Sequence, residues 1–560
     1  MLDTIIRGGV VVDGTGAPGF AADVGVRHGR VVSVGRTTET AAQVIDADGL
    51  VVAPGFIDIH THYDAQILWD RNLAPSPQHG VTTVLGGNCG ISLAPSHEGD
   101  VRWLLGLIAR VEEVPTSALE AVVSPRDTSF KDYLDGIDRG LGVNAAFMVG
   151  HSSIRRAVMG EAASGAEADA GQIEAMCSLL RQALNQGAGG FSTALIANHI
   201  DGEGRPAPPQ FAAFDEMHRL AGVCRGHTGA VIQMTPDYVP ATPEYCALMY
   251  DMARISGRPF TYTAVARAEH FEVVEQGLAR GAVLTPQAQF QDGIGDRLQL
   301  TDSLTMRHWP SPWPEIVALP VAERLRALSD GQTRRVLRDA AMRAPMRKIN
   351  SQVFADRWLD LEVNDVTEVS MKDLIGRKVI DIAAARGVDP FDAWIDISVA
   401  DRCRAGFLSF EPGPRFDPGH SALVDPRTLW GLFDSGAHLT SMVGASNPTR
   451  ILDLLVRSGN LVPLEHAVHR LTGQPAAWWG LVDRGRIAEG CWADIVTFEP
   501  DRIGCSRMRR MDDWPGGAAH LTCDGIGVHH TIVNGGLVVA EGEYTGALPG
   551  SILRPGDDIR

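Results

Sequence analysis

Through residue 54 the apolar positions come in short runs broken by Gly and Asp, as in IIRGGVVVDGTG, ADVGVRHGRVVSVG and VIDADGLVVAPG. That pattern predicts small antiparallel strands joined by tight turns. From Gly55 to about Gly480 the rhythm changes. Strand-like runs such as VTTVLGG, NAAFMVGHS and AGGFSTALIA recur with helix-length segments between them, which predicts successive βα units. After Gly480, LVDRGRIAEGCWADIVTFEP and HHTIVNGGLVVAEGEYTG return to short strands and Gly turns. The expected architecture is α/β: a (β/α)8 TIM-like barrel over residues 55–480, and a small β-sandwich domain built jointly from residues 1–54 and 481–560. Residues 287–375 break the rhythm with Trp309, Trp313 and Trp358, the proline-rich HWPSPWPEI and the helical VAERLRALSD. They read either as an insertion or lid, or as ordinary barrel helices with longer connections.

With 560 residues, 44% hydrophobic and 21% charged, the chain has material for a large buried core and none of the bias of a disordered one. The formal net charge of −18 disfavours nucleic acid and anionic membranes, which are bound through clustered Lys and Arg. The opening MLDTIIRGGVVVDG has no basic segment followed by an apolar stretch, so a cytoplasmic location is expected. The eight cysteines are scattered rather than arranged as a disulfide framework, and any special one is then a ligand or a nucleophile. The partner left by these exclusions is a small-molecule substrate; self-association into a homo-oligomer stays open.

The most informative stretch is GFIDIHTHYDAQ, where an apolar strand runs directly into His60-Thr61-His62. Strand side chains alternate with period two, so the two imidazoles share a face at a separation that one metal ion can bridge. The C-terminal ends of barrel strands are where active sites gather. One strand and helix further on, GGNCG puts Cys89 at the expected mouth of the second strand. Late in the chain LWGLFDSGAH ends an apolar strand in Asp434, in the place of an eighth strand.

On these segments, together with VGHSSIRR, GAGGFSTAL and TGQPAAWWGLVDRGRIAEGCWADIVTFEP, the chain resembles the amidohydrolase superfamily, and within it the N-acyl-D-amino-acid deacylase (D-aminoacylase) family, as a divergent member. The resemblance covers nearly the whole length. It implies a metal-dependent hydrolase that cleaves the amide bond of a small N-acyl amino acid, with Asp434 as the general base that shuttles a proton. It also implies that Cys89 fills the role taken elsewhere by a carboxylated lysine; the lysines present, Lys131, Lys348, Lys372 and Lys378, follow no convincing strand. His60, His62, Cys89 and Asp434 are thus the expected ligands of a divalent metal, with Zn2+ favoured by the donor set.

The resemblance further implies two histidines at the ends of the fifth and sixth strands, where this chain has Gln233 and Met234, and Ala264. One ion rather than two is expected for that reason, unless His227 or His270 substitutes. His151 and His199 are candidates to replace a ligand or stabilise an oxyanion, His438 to orient Asp434 or the substrate, and Arg450, in SNPTRIL, to hold a substrate carboxylate. Ester, lactone or cyclic-imide hydrolysis, a lyase step, or a non-catalytic relative are the alternatives that fold alone does not exclude.

Overall fold

The computed structural model describes residues 1–237, 242–265, 271–289, 294–307, 309–343, 361–410 and 422–560. The two chain ends build a single nine-stranded sheet, whose order runs Glu543–Tyr544, Gly536–Ala540, Val528–Val533, Ile495–Phe498, Val51–Pro54, Leu2–Val11, Phe20–Arg27, Arg30–Gly35, with Ala41–Asp46 beside Leu2–Val11. The seam between the ends is the antiparallel pair of Ile495–Phe498 with Val51–Pro54, in register from Ile495↔Pro54 to Phe498↔Val51. Ile6, Val24, Val26, Val52, Ile495 and Ile532 are buried together across it. Alternating apolar residues from both ends thus share one core, which neither end could bury by itself.

The middle of the chain supplies parallel strands. Phe56–Asp58, Val81–Gly86 and Asn144–Phe147 pair in that order. Val149–Gly150, Gly190–Ala194, Val231–Thr235, Phe260–Val265, Thr285–Gln289 and Leu429–Leu432 form a second parallel run. Met148 alone separates the third strand of the first run from the beginning of the second, and Thr61 bridges in parallel to Ser435, just beyond the last strand. Val81–Gly86 and Gly190–Ala194 are buried at every position, as parallel strands covered on both faces must be. The helices between them start where side chains satisfy the free N–H groups: Ser129 with Asp132, and Asp169 with Gln172, form reciprocal capping pairs at Phe130–Ile137 and Ala170–Asn185. Buried Asp494 joins this body to the terminal sheet by accepting Asn144 Nδ2 (3.3 Å) and pairing with Arg484.

Between Thr285–Gln289 and Leu429–Leu432, which are neighbours in the parallel run, the chain leaves it. Ile294–Leu298, Gly406–Phe410 and Glu362–Asp365 form an antiparallel sheet beside helices that include Trp313–Val317, Val321–Ser329 and Pro390–Ala400. These bury a separate core around Trp313, Trp394, Phe391 and Phe407, with Trp313 stacked on Trp394 at 5.5 Å. Trp309 belongs to the same core; Trp358 lies outside the described residues. The segment is tied to the loop after Leu429–Leu432, where Arg297 donates to Thr440 O (3.1 Å) while forking onto Asp365 at 2.6 Å through two nitrogens. Among the described residues, no helix is long and apolar enough to cross a membrane.

Candidate metal centre

The site is built on the extension of Phe56–Asp58. Ile57 and Ile59 are buried in one cluster with Leu429, Ala476 and Trp479, and the alternate residues Asp58, His60 and His62 take the opposite side of the strand. Backbone bonds from Thr61 N–H to Leu85 O (3.0 Å) and from His62 N–H to Ser435 O (2.8 Å) fix this segment between its two neighbours. Asp58 accepts His60 N–H at 3.0 Å and the Ser435 hydroxyl at 2.6 Å; burial pushes its carboxyl up to about 8.

His60 is fully buried. Its Nδ1 lies 3.0 Å from Gln287 Oε1, an acceptor that assigns the proton to Nδ1 and leaves the Nε2 lone pair for the centre. Nε2 is 3.4 Å from Cys89 Sγ and 3.2 Å from Asp434 Oδ1. His62 Nε2 lies 3.6 Å from the same carboxylate oxygen, and its Nδ1 lies 3.3 Å from Glu112 Oε1. Cys89 reaches the site because the chain turns sharply after Val81–Gly86, with left-handed backbone at Gly87 (φ 73°) and at Cys89 itself (φ 53°). A Cβ on Gly87 would fall 2.2 Å from Met148 O, so only glycine fits there. The donor atoms of His60, His62 and Cys89 all lie within 4.8 Å of one another. Asp434 (φ 55°) stands two residues beyond its strand.

Burial holds His60 down at about 4, despite the nearby Asp434 charge, so it is a neutral imidazole, the form that ligates. Burial also lowers His62, but the Glu112 charge and the Asp434 and Cys89 hydrogen bonds outweigh it and raise its pKa. Asp434, with 23% of its side chain exposed, would be raised by desolvation; the His62 hydrogen bond and the His60, His62 and His438 charges instead hold it well below the usual carboxylate range. Burial pushes the Cys89 thiol up. Two imidazoles, a thiol and a carboxylate converging in a buried space are a donor set that a divalent cation satisfies, since it compensates the carboxylate and favours the thiolate.

The second imidazole pair is absent where the resemblance placed it. Met234 points into the large apolar core, whereas Gln233 and Thr235 face Cys89: Gln233 Oε1 accepts Cys89 N–H (2.8 Å), Gln233 Nε2 donates to Thr235 Oγ1 (2.8 Å), and Thr235 Oγ1 is 3.4 Å from Sγ. Ala264 lies in the strand Phe260–Val265. His227 precedes Val231–Thr235, at the strand end away from the site. His270 lies outside the described residues.

His151 begins the helix His151–Met159 with both ring nitrogens occupied, Nδ1 by Thr193 Oγ1 (2.9 Å) and Nε2 by Glu216 Oε1 (2.7 Å), while Arg155 pairs with the same glutamate. No ring nitrogen is left for a substrate, and its role is structural. Arg450 sits in the short helix Asn447–Ile451, next to Thr449, whose hydroxyl lies 2.8 Å from Nδ1 of buried His79. His199 is half-buried and held at about 3 by burial, with the His62 and His438 charges adding to it. His438 (φ 52°) has its Nδ1 3.4 Å from Glu113 Oε2. Desolvation would lower it, but the Glu113 carboxylate facing its Nδ1, aided by Asp434, raises it to about 9. Sequence reasoning missed Asp58, Glu112, Glu113 and Gln287; of these only Asp58 had a signal, standing two positions before His60 in the same alternation.

The pattern of the amidohydrolase family matches residues 43–539. The D-aminoacylase of Alcaligenes xylosoxydans xylosoxydans is 30% identical over 571 residues, covering 98% of this chain and 97% of that protein. The N-acyl-D-aspartate deacylase of the same organism is 29% identical over 579 residues, covering 100% and 96%. A solved D-aminoacylase structure with a binuclear metal centre superposes with a TM-score of 0.63 at 27% identity, covering 99% of this chain and 100% of that one. With that match over most of its length, the chain belongs to the amidohydrolase family, as a metal-dependent hydrolase of carbon–nitrogen bonds other than peptide bonds.

Proposed function

We propose that the protein hydrolyses the amide bond of a small N-acyl amino acid, using one divalent ion, zinc, held by His60, His62, Cys89 and Asp434. The observation that carries this is the convergence of the His60 and His62 Nε2 atoms on one oxygen of Asp434, at 3.2 and 3.6 Å, beside Cys89 Sγ. A bound ion would supply Lewis acidity and bring the acidity of an adjacent water near neutral pH. Thiolate, imidazole and carboxylate together suit zinc. A single ion follows from the far side of Cys89, where a glutamine amide with its own partners and a threonine hydroxyl stand in place of imidazoles. In the solved D-aminoacylase one metal activates and the second attenuates, so one ion is enough for that chemistry.

Asp434 then moves the proton. Kept ionised by the imidazoles around it, it takes a proton from the attacking water and returns it to the amide nitrogen as the C–N bond breaks. His438, protonated through neutral pH, is the counter-charge for the substrate carboxylate in place of Arg450, and neutral His199 is the hydrogen-bond donor to the carbonyl oxygen as it gains charge. We assign the parallel strands from Phe56–Asp58 to Leu429–Leu432 to one closed (β/α)8 barrel, with the terminal sheet (residues 1–54 and 481–560) as an appended β domain and 294–410 as an inserted module.

The test is amine release from a panel of N-acetyl amino acids of both hands, with ester and lactone controls, beside metal analysis of the purified protein. The expected result is amide cleavage that chelation abolishes and zinc restores, with one ion per chain. Activity confined to esters, or full activity in His60→Ala, would overturn the reading; two tightly held ions would overturn the single-ion part.

A further inference from the structure

The helix Val101–Val111 runs into two adjacent glutamates with no assigned role. Both are buried, Glu112 at 3% exposure and Glu113 at 6%, and a carboxylate out of water must be paired to persist. Glu112 Oε1 lies 3.3 Å from His62 Nδ1. Glu113 Oε2 lies 3.4 Å from His438 Nδ1 and accepts the Ser441 hydroxyl at 3.2 Å. The Glu112 carbonyl also accepts His438 N–H at 2.6 Å.

Two neighbouring side chains serve two different histidines because the helix stops at Val111 and Glu113 turns into the left-handed region (φ 55°). A glutamate there costs on the order of 1 kcal/mol and persists only where its surroundings hold it. His62 follows the first parallel strand and His438 lies in the loop after the last, so residues 112 and 113 pin both sides of the centre at once.

We propose that Glu112 and Glu113 are paired positioning residues: Glu112 fixes the His62 ring so that Nε2 is its metal-facing nitrogen, and Glu113 fixes His438 on the substrate side. The carboxylate facing Nδ1 across 3.3 Å attracts that nitrogen's proton, orients the ring and increases the basicity of Nε2, as carboxylate partners of ligating histidines do. Glu113 has no metal-facing histidine and acts on substrate binding alone. The inference rests on the metal reading above.

The experiment compares full-length wild type, Glu112→Gln and Glu113→Gln by zinc competition with a chromophoric chelator, and by kcat and KM on an N-acetyl amino acid. Glu112→Gln is expected to weaken zinc about 10–100-fold, and Glu113→Gln to leave zinc affinity within about twofold while raising KM more than it lowers kcat. Unchanged zinc affinity in Glu112→Gln, or the same effect of both variants on both constants, overturns the proposal. If Glu112→Gln does not fold, Glu112→Asp, one methylene shorter, takes its place, and unchanged affinity there overturns it equally. Failure of wild type itself to bind zinc would instead sink the underlying metal reading, so the two failures are distinct.

Discussion

Replacing Gln287 by Leu separates metal affinity from fold stability. Gln287 is fully buried, its Oε1 lies 3.0 Å from His60 Nδ1, and its Nε2 has no hydrogen-bond partner among the described residues. Leucine nearly keeps the shape and removes both groups. For metal binding the loss is one-sided: Nδ1–H of the ligating tautomer becomes a donor with no acceptor, which costs about 1–3 kcal/mol. At about 1.4 kcal/mol per factor of ten, zinc affinity falls roughly 5- to 150-fold. For the metal-free fold the change nearly cancels, because a hydrogen bond worth about 1 kcal/mol disappears together with an unpaired buried amide of similar cost. Zinc competition and urea unfolding of the metal-free protein measure the two quantities. Equal losses in both, or unchanged zinc affinity, would refute the idea that Gln287 acts by fixing the His60 tautomer.

Three other perturbations follow from the same geometry. Asp434→Asn is expected to lower kcat about 10²- to 10⁴-fold by removing the proton carrier, and to loosen zinc as well; kcat at saturating zinc isolates the first effect. His438 is raised from 6.5 to about 9, so it keeps its charge through neutral pH. KM for a carboxylate substrate should stay flat up to about pH 9 and rise above it in a steady-state pH profile. By the same linkage the stabilisation from its ion pair is complete below its unfolded pKa and is lost as pH climbs through about 9, which pH-dependent melting checks. Trp313→Ala, at a fully buried position of the separate tryptophan core, is expected to cost about 3–5 kcal/mol; calorimetry should show a new low-temperature transition, with zinc affinity retained.

What could be read in the sequence, and what could not, divides by the distance over which the determining contacts act. The approach of His60 to His62 is a consequence of strand period two, fully local, and Asp58 belongs to the same alternation. The change of rhythm at Gly55, and the return to short strands after Gly480, are likewise local patterns, and the seam Ile495↔Pro54 is where the two ends meet. Period two also says that only one of Gln233 and Met234 faces inward. Which one does depends on the pairing Gln233↔Ser192, and that choice puts an amide rather than a thioether against Cys89. His151 fails as a site residue for a similar reason, since helix begins at that position and Glu216, 65 residues away, takes the ring. The partners that orient the site histidines lie beyond any local pattern. Gln287 is 227 positions from His60, and Ser441 is 328 positions from Glu113. In sequence, Glu112 and Glu113 end an amphipathic helix in the manner of a solvated terminus. In the fold they face His62, His438 and Ser441 instead of solvent. The ligands of this centre are therefore written in short stretches of chain, while the charges that give those ligands their tautomers and protonation states are written in the fold.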